Sequence, residues 1–400
     1  MEQHNNGFYG LGIAPGLLEV IDELGYTEPT PIQRKAIPIG ISGQDIIGIA
    51  QTGTGKTLAF AIPLIQHLAK TKGKGLILVP TRELALQVHA TVQKIAKSQH
   101  LPTAVLIGGE SMRPQLDALR RHPRVIVATP GRLIDHLEHR TAKVDDVAVL
   151  ILDEADRMLD IGFGPQIEQI LRTVPKERQT MLFSATMPDD IVRIAAKHMK
   201  LPVRTEIAPA GTVVETVSQE VFVVPKEAKA ALLAKLLTQY TGPVLLFSRT
   251  KRGAHKITQQ LRKVGHAAAQ IHADRTLSQR KEALEGFRSG KYLILVATDI
   301  AARGIDVKGI EVVINYDLPD DPENYVHRIG RTGRAGVVGH AVSIATPEQG
   351  KDVRAIESII RSSITQSEHP DIPSGKLVRS TVWTSKGGRS MIRGVKRRRR

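Results

Sequence analysis

Short apolar runs and polar-faced helical stretches alternate along most of the chain. In the first half, Asp45–Ala50, Leu76–Pro80, Val125–Thr129, Val147–Asp153 and Thr180–Ser184 are almost continuously apolar and β-branched. Such runs suit parallel strands covered on both faces, where neither side of the pleat meets water. Helical patterns such as Arg82–Lys97 and Gly164–Thr173 lie between them, which predicts βαβ units around a parallel sheet. Residues 202–218 lack an apolar period and read as a linker. The strand pattern then restarts at Gln219–Val224, Val244–Ser248, Ala268–His272, Tyr292–Thr298, Val312–Tyr316 and Ala341–Ala345. After about Ser363 the period disappears and Ser, Gly, Lys and Arg dominate, so the end of the chain is expected to be disordered in isolation. The expected organisation is an α/β domain over 1–205, a linker over 206–217, a second α/β domain over 218–363 and a basic tail over 364–400.

Composition narrows the class. The hydrophobic share of 41% is ordinary for a globular protein. No run approaches the ~18 apolar residues that span a bilayer, and the N-terminus lacks the charge and apolar core of a secretory signal. There are no cysteines, which excludes disulfides and thiolate metal sites and makes a reducing cytosol the expected home. The net charge is +16, and the last 25 residues hold ten Lys/Arg and no Asp/Glu, leaving +6 on the other 375. A mildly basic body with a strongly basic end points to a polyanionic partner.

Residues 50–57 read AQTGTGKT between a strand and a helix. The phosphate-loop pattern is met in all but its first position. Gly53 and Gly55 let amide N–H groups turn toward phosphates, with Gln51, Thr52 and Thr54 completing the loop. Lys56 supplies charge for the β/γ phosphates and Thr57 a hydroxyl for Mg²⁺. DEAD at 153–156 ends an apolar strand, where a carboxylate faces the ligand crevice. Asp153 is the expected metal ligand, and Glu154 is expected to orient or deprotonate the attacking water. Two similar domains with one phosphate loop imply a site in the cleft between them.

With these segments in hand, the chain resembles the DEAD-box RNA helicases, and within them the bacterial RhlE-like branch, from about Phe8 to Ile360. The resemblance implies two tandem RecA-like domains with a flexible basic tail, ATP and Mg²⁺ as cofactors, and RNA as partner. GYTEPTPIQ (25–33) resembles the Q motif: Tyr26 would stack on adenine, Gln33 would bond its edge, and Phe8 is the isolated upstream aromatic. PTRELA (80–85), with Pro80, Thr81 and Arg82, then Gly109, and TPGR with Thr129, Pro130 and Arg132, resemble RNA contacts of the first domain. In the second, LLFSRT implies Arg249 on RNA, and ATDIAARGIDV implies Thr298 on RNA and Asp306 on the ribose. In HRIGRTGRAG (327–336), Arg331 and Arg334 resemble arginine fingers on the γ-phosphate. Asp156, Ser184, Thr186 and His327 would couple ATP state to RNA binding. The segment HADRTLSQR (272–280) departs from the commoner HGDLSQ type.

The implied activity is ATP-dependent, local, non-processive unwinding of RNA duplexes in the cytoplasm, by a chain that needs no second subunit, in ribosome assembly, RNA decay or remodelling. An ATP-switched RNA clamp or annealing chaperone with little unwinding is the alternative. Trp383, in the tail, could stack on a base or pack locally.

Overall fold

The computed structural model describes residues 7–50, 53–207, 217–302, 307, 309–333 and 338–378. The first domain is built on a seven-stranded sheet: β1 (Ile46–Ile49), β2 (Lys74–Leu78), β3 (Thr103–Leu106), β4 (Val125–Ala128), β5 (Val147–Leu152), β6 (Gln179–Ser184) and β7 (Val203–Glu206). Its order is β3-β4-β2-β5-β6-β1-β7, and every pairing is parallel. Strands β1, β4 and β6 are buried along their whole length. Alternate residues feed two apolar clusters: Ile46, Ile77, Val127, Val149 and Met181 on one face, Ile47, Leu76, Ile126, Leu150 and Leu182 on the other. Close packing is tight enough that Gly48 is obligatory, since a Cβ there would lie 2.6 Å from the Phe183 ring.

The second domain repeats this topology. Its strands are β8 (Val217–Val223), β9 (Val244–Phe247), β10 (Ala268–Ile271), β11 (Ile294–Ala297), β12 (Val312–Asn315), β13 (Gly339–Ala345) and β14 (Thr365–Ser367). The order β10-β11-β9-β12-β13-β8-β14 is that of the first sheet with seven added to each number. The two halves are therefore two copies of one fold.

Three strands, β3, β7 and β14, were not expected from the sequence, and two expected boundaries move. Residues 203–206 pair with β1 as the sheet edge, so the first domain extends through part of the span read as linker. Residues 208–216, the middle of that linker, lie outside the described residues. Residues 364–378 belong to the second domain and not to a disordered tail. Thr365–Ser367 pair with β8, Ile372 packs on its core, and Gly375 N donates to the Val223 carbonyl at 2.7 Å. Residues 379–400, with Trp383, lie outside the described residues. No helix among the described residues is long and apolar enough to cross a membrane.

Candidate active site and domain cleft

The strand order assembles the site. β6 lies between β1 and β5, so the loops leaving the carboxyl ends of these three strands emerge side by side. The phosphate loop follows β1, the DEAD segment follows β5, and Ser184–Thr186 follow β6. The Ala50 amide donates to the Ser184 carbonyl at 3.0 Å, which fastens the root of the phosphate loop to β6.

Gly53 and Gly55 hold φ of +86° and +89°, a region costly for any residue with a Cβ. A Cβ on Gly55 would overlap the Gln33 carboxamide. That carboxamide grips the loop: Nε2 donates to the Gly55 carbonyl at 3.0 Å, and Oε1 accepts from the Thr30 amide at 2.9 Å. Each end keeps one further hydrogen-bonding position, so Gln33 can hold the loop and still meet an adenine edge. Lys56 begins the helix Lys56–Lys70; its Nζ donates to the Ala50 carbonyl at 2.8 Å. Thr57 follows in the same turn. Gln51 and Thr52 lie outside the described residues. Tyr26 is 39% exposed, as a stacking surface requires, whereas Phe8 is fully buried in the first-domain core. Phe8 is therefore a packing residue that fixes the segment ahead of the Q motif, and does not offer a face to ligand.

Asp153 and Glu154 are both buried, and their environments drive them apart. Burial, aided by the Glu154 charge, pushes Asp153 up to about 7 against the pull of Lys56. Burial also opposes the Glu154 charge, but Arg157, Lys56 and Arg331 together overcome it and hold Glu154 down at about 2. Arg157, which sequence reading missed, pairs directly with Glu154. A carboxylate held so low is a weak base, so this geometry favours orientation of water over its deprotonation. Asp153 Oδ1 accepts from the Glu154 amide at 3.0 Å, and a buried carboxylate pushed up this far gains from a cation. The described residues contain no cluster of three or more His/Cys/Asp/Glu that could cage a metal. Mg²⁺ needs none, since it typically takes one or two protein ligands and completes its shell with phosphates and water. Thr57 and Asp153 fit that role.

Asp156 is the hub of the first domain's site. Its Oδ2 accepts from the Ala185 amide (3.0 Å), the Thr186 amide (2.9 Å) and the Thr186 hydroxyl (3.0 Å). Its own amide donates to Ser184 Oγ at 3.2 Å. Any shift of the DEAD turn is thus transmitted to residues 184–186 through four bonds.

On the same edge, Thr81 follows Pro80 and caps the helix Arg82–Ser98 by accepting from the Leu84 amide at 3.3 Å. Arg82 lies against Gly108 and Gly109, so close that a Cβ on Gly109 would overlap its guanidinium. Thr129 stands at the N-cap of Pro130–Glu138 without a capping bond, leaving its hydroxyl for other use. Arg132 differs from expectation. Its side chain is 9% exposed and ion-paired with Asp135, and both terminal nitrogens donate to the Glu110 carbonyl at 3.1 Å. It braces the loop that follows Gly109 through the Glu110 carbonyl.

In the second domain the position equivalent to Lys56 is Lys229, first residue of Lys229–Leu237 after β8. No phosphate loop precedes it. Its Nζ instead donates to Asp317 at 3.1 Å, and Asp317 also accepts from the Arg249 amide at 3.0 Å. The second copy of the nucleotide site is closed on itself and positions Arg249, whose side chain is 43% exposed. Thr298 caps the short helix Asp299–Ala302 through its carbonyl. Of the arginines at 328, 331 and 334, Arg328 is an internal strut. It holds both oxygens of Asp299 (2.6 and 2.7 Å), bonds Asn315 (3.0 Å), and lies 4.9 Å from the Phe247 ring centre. Arg331 is buried and is one of the charges that depress Glu154 across the cleft. His327 shares a small cavity with Arg331 and Asp299. Arg334 and Asp306 lie outside the described residues.

The altered segment 272–280 turns out to join the domains. Arg280 donates to Glu83 at 2.8 Å with both side chains nearly buried, Lys281 lies 3.6 Å from Glu110, and Leu277 enters the first-domain apolar cluster.

Known proteins share this arrangement. The DEAD/DEAH box helicase model matches residues 30–194, and the helicase conserved C-terminal domain matches 228–336. The chain is 41% identical over 368 residues to the DEAD-box ATP-dependent RNA helicase CshA of Bacillus subtilis, covering 91% of this chain and 74% of that one. Such relatives carry the name CshA, so the narrower RhlE-like placement does not follow from them. Among solved structures, S. cerevisiae Dbp5 bound to RNA and ADP BeF3 superposes with a TM-score of 0.81 at 30% identity, over 90% of this chain and 95% of that one. A DEAD box protein from Methanococcus jannaschii is 38% identical over 90% and 99% of the two chains, yet its TM-score is 0.53. A TM-score above 0.8 across both domains requires the same relative domain placement as in the RNA- and nucleotide-bound protein. Motif order, paired parallel sheets and a composite cleft agree with these matches, and the chain belongs to the DEAD-box family of ATP-dependent RNA helicases.

Proposed function

We propose that this chain is an RNA-dependent ATPase that separates short RNA duplexes locally as its two domains close and reopen. The observation that carries the proposal is the convergence of Arg331 on Glu154 while Asp156 ties the same turn to Ser184–Thr186. ATP on Lys56, with Gln33 and Tyr26 around the base, recruits Arg331 and Arg334 to the γ-phosphate. An arginine finger is typically worth ~10³–10⁵ in rate. Glu154 orients the attacking water. Thr57 and Asp153 would hold Mg²⁺, which when bound would neutralise phosphate charge. Closure aligns Pro80, Thr81, Arg82, Gly109, Thr129 and Pro130 with Arg249 and Thr298 into one track for an RNA backbone. RNA and ATP then favour the same closed state, so each raises the affinity for the other. Loss of the γ-phosphate releases the fingers. Backbone and 2′-hydroxyl contacts make recognition RNA-selective and sequence-tolerant. The chain acts as a monomer in the cytoplasm, on RNA such as ribosomal precursors or decay intermediates.

The test is ATP hydrolysis without nucleic acid, with single-stranded RNA and with matched DNA, beside Glu154→Gln. Stimulation by RNA alone, abolished in the variant, is expected. Equal stimulation by DNA, or turnover indifferent to both, overturns the RNA assignment.

A further inference from the structure

From Ala228 to Ala273 the sequence has no Asp or Glu in 46 residues, yet it holds eight Lys/Arg, in a chain where acids average one in ten. The centre of this stretch is the helix Lys251–Lys263, which starts two residues after Arg249. Its inner face is Ala254, Ile257, Thr258 and Leu261, all buried. Arg252, Lys256 and Lys263 fall on the opposite side, exposed, at the i, i+4, i+11 spacing that keeps them on one stripe.

A charged outer face is ordinarily only a solvated surface, and it then carries both signs. This one does not. Among the described residues, Lys251 has an acidic partner, Asp274 at 2.8 Å, and Arg252, Lys256 and Lys263 have none within ion-pair distance. Like charges one turn apart disfavour the isolated helix, and no acidic counter-charge on the helix offsets them. The direction of the helix matters as well. It leaves the carboxyl end of β9, on the cleft side where Arg249 stands, and runs back along the sheet by about 18 Å at ~1.5 Å per residue.

We propose that the outer face of Lys251–Lys263 is an accessory phosphate-backbone site, which holds the RNA strand where it continues beyond the cleft past Arg249. The inference rests on the RNA reading of the cleft and extends it. Contact through Arg252, Lys256 and Lys263 is electrostatic and sequence-blind, so it adds affinity by counterion release. It serves long RNA and is silent for an oligomer that fills only the cleft.

The experiment uses the full chain carrying Arg252→Gln, Lys256→Gln and Lys263→Gln together. These side chains are solvent-facing, and an unchanged melting temperature confirms an intact fold. Binding of a short oligouridylate (about six nucleotides) and of a long one (about twenty) is measured with a non-hydrolysable ATP analogue across salt. For long RNA the expected result is roughly tenfold weaker binding at low salt and a log–log salt slope shallower by about 2, given ~0.7 per phosphate on single strands. For short RNA neither changes, and maximal RNA-stimulated turnover is preserved. An equal loss on both lengths places the helix inside the cleft and overturns the proposal. No loss on either makes the face merely solvated, with the same consequence. Absence of RNA-stimulated turnover in the unmutated chain would instead defeat the parent reading, so the two failures are separable.

Discussion

Asp153 and Glu154 are adjacent carboxylates with opposite electrostatic fates, and each fate has a measurable consequence. For Asp153, burial raises the folded-state value to about 7, above its unfolded value. The stability tied to its proton is therefore present in acid and lost as pH rises from the ordinary carboxylate range through 7. Asp153→Asn, which mimics the protonated form, is expected to raise the melting temperature of the nucleotide-free protein at pH 8 by a few degrees, about 2–4 °C per kcal/mol. The gain should vanish near pH 4. Equal gains at both values would rule out the titration. Glu154 is held at about 2, so its contribution is present above the ordinary carboxylate range and is lost progressively as pH falls from that range through about 2. That contribution depends on Arg157. Arg157→Met leaves Glu154 buried beside one fewer cation, and breaking such a pair costs roughly 3–5 kcal/mol. A thermal melt at pH 7.5 unchanged from the parent would show the pair to be unimportant. The motif letters announced Lys56, Asp153 and Glu154 because phosphate and metal chemistry demands those residue types. They did not announce Arg157 or Arg328, nor the bond of Arg132 to the Glu110 carbonyl, because an arginine's letter does not say whether its guanidinium faces water or a buried carbonyl. Phe8 went astray for the same reason.

At the scale of elements, most strands found from sequence are buried on both faces, where nearly every residue must be apolar; β8, buried at Val217 and Val221–Val223 only, was found from its apolar second half. The ones missed lie at sheet edges or near them. β3 shows alternating burial over four residues, β7 buries one residue of four, and β14 buries none. Such strands are held by pairing with a neighbour, and pairing leaves no compositional trace. β14 yields a prediction that opposes the reading of 364–378 as disordered. Truncation after Arg379 should leave the melting temperature unchanged, whereas truncation after Ser363 should lower it by several degrees. The latter removes β14, the Ile372 contact and the Lys235–Asp371 pair at 2.8 Å. Equal melts for both chains would return the segment to the tail. The Gly108-Gly109 loop is a second element whose geometry makes a prediction. Gly109 has φ of +74° and no room for a Cβ against Arg82. Gly109→Ala should weaken RNA-stimulated turnover at least ~10-fold by displacing Arg82, a loss of about 1.4 kcal/mol, while turnover without RNA is unaffected.

The whole molecule works only if the domains meet, and Arg280–Glu83 lets the cost of meeting be measured apart from the cost of folding. Within the closed cleft these side chains are nearly buried. When the cleft opens, both return to water, so neither domain needs the pair in order to fold. Removing one charge strands the other only in the closed state, where an unpaired buried charge costs roughly 3–5 kcal/mol. The penalty therefore falls on the closure equilibrium and is felt by any ligand that requires closure. Arg280→Glu and Glu83→Arg, each alone, place like charges together and should raise the RNA concentration for half-maximal ATPase stimulation by ~10-fold or more. Dyes on the two domains should report less closure with ATP analogue and RNA, at an unchanged melting temperature. The double exchange restores attraction with reversed sign and should recover most of both signals. Leu277→Gln should shift closure in the same direction to a smaller extent, because it withdraws apolar surface from the first-domain cluster. A melting temperature that falls in step with closure, or an exchange that restores neither signal, would make these residues ordinary parts of their own domains. The segment that looked anomalous beside its family pattern would then have no role in bringing Arg331 to Glu154.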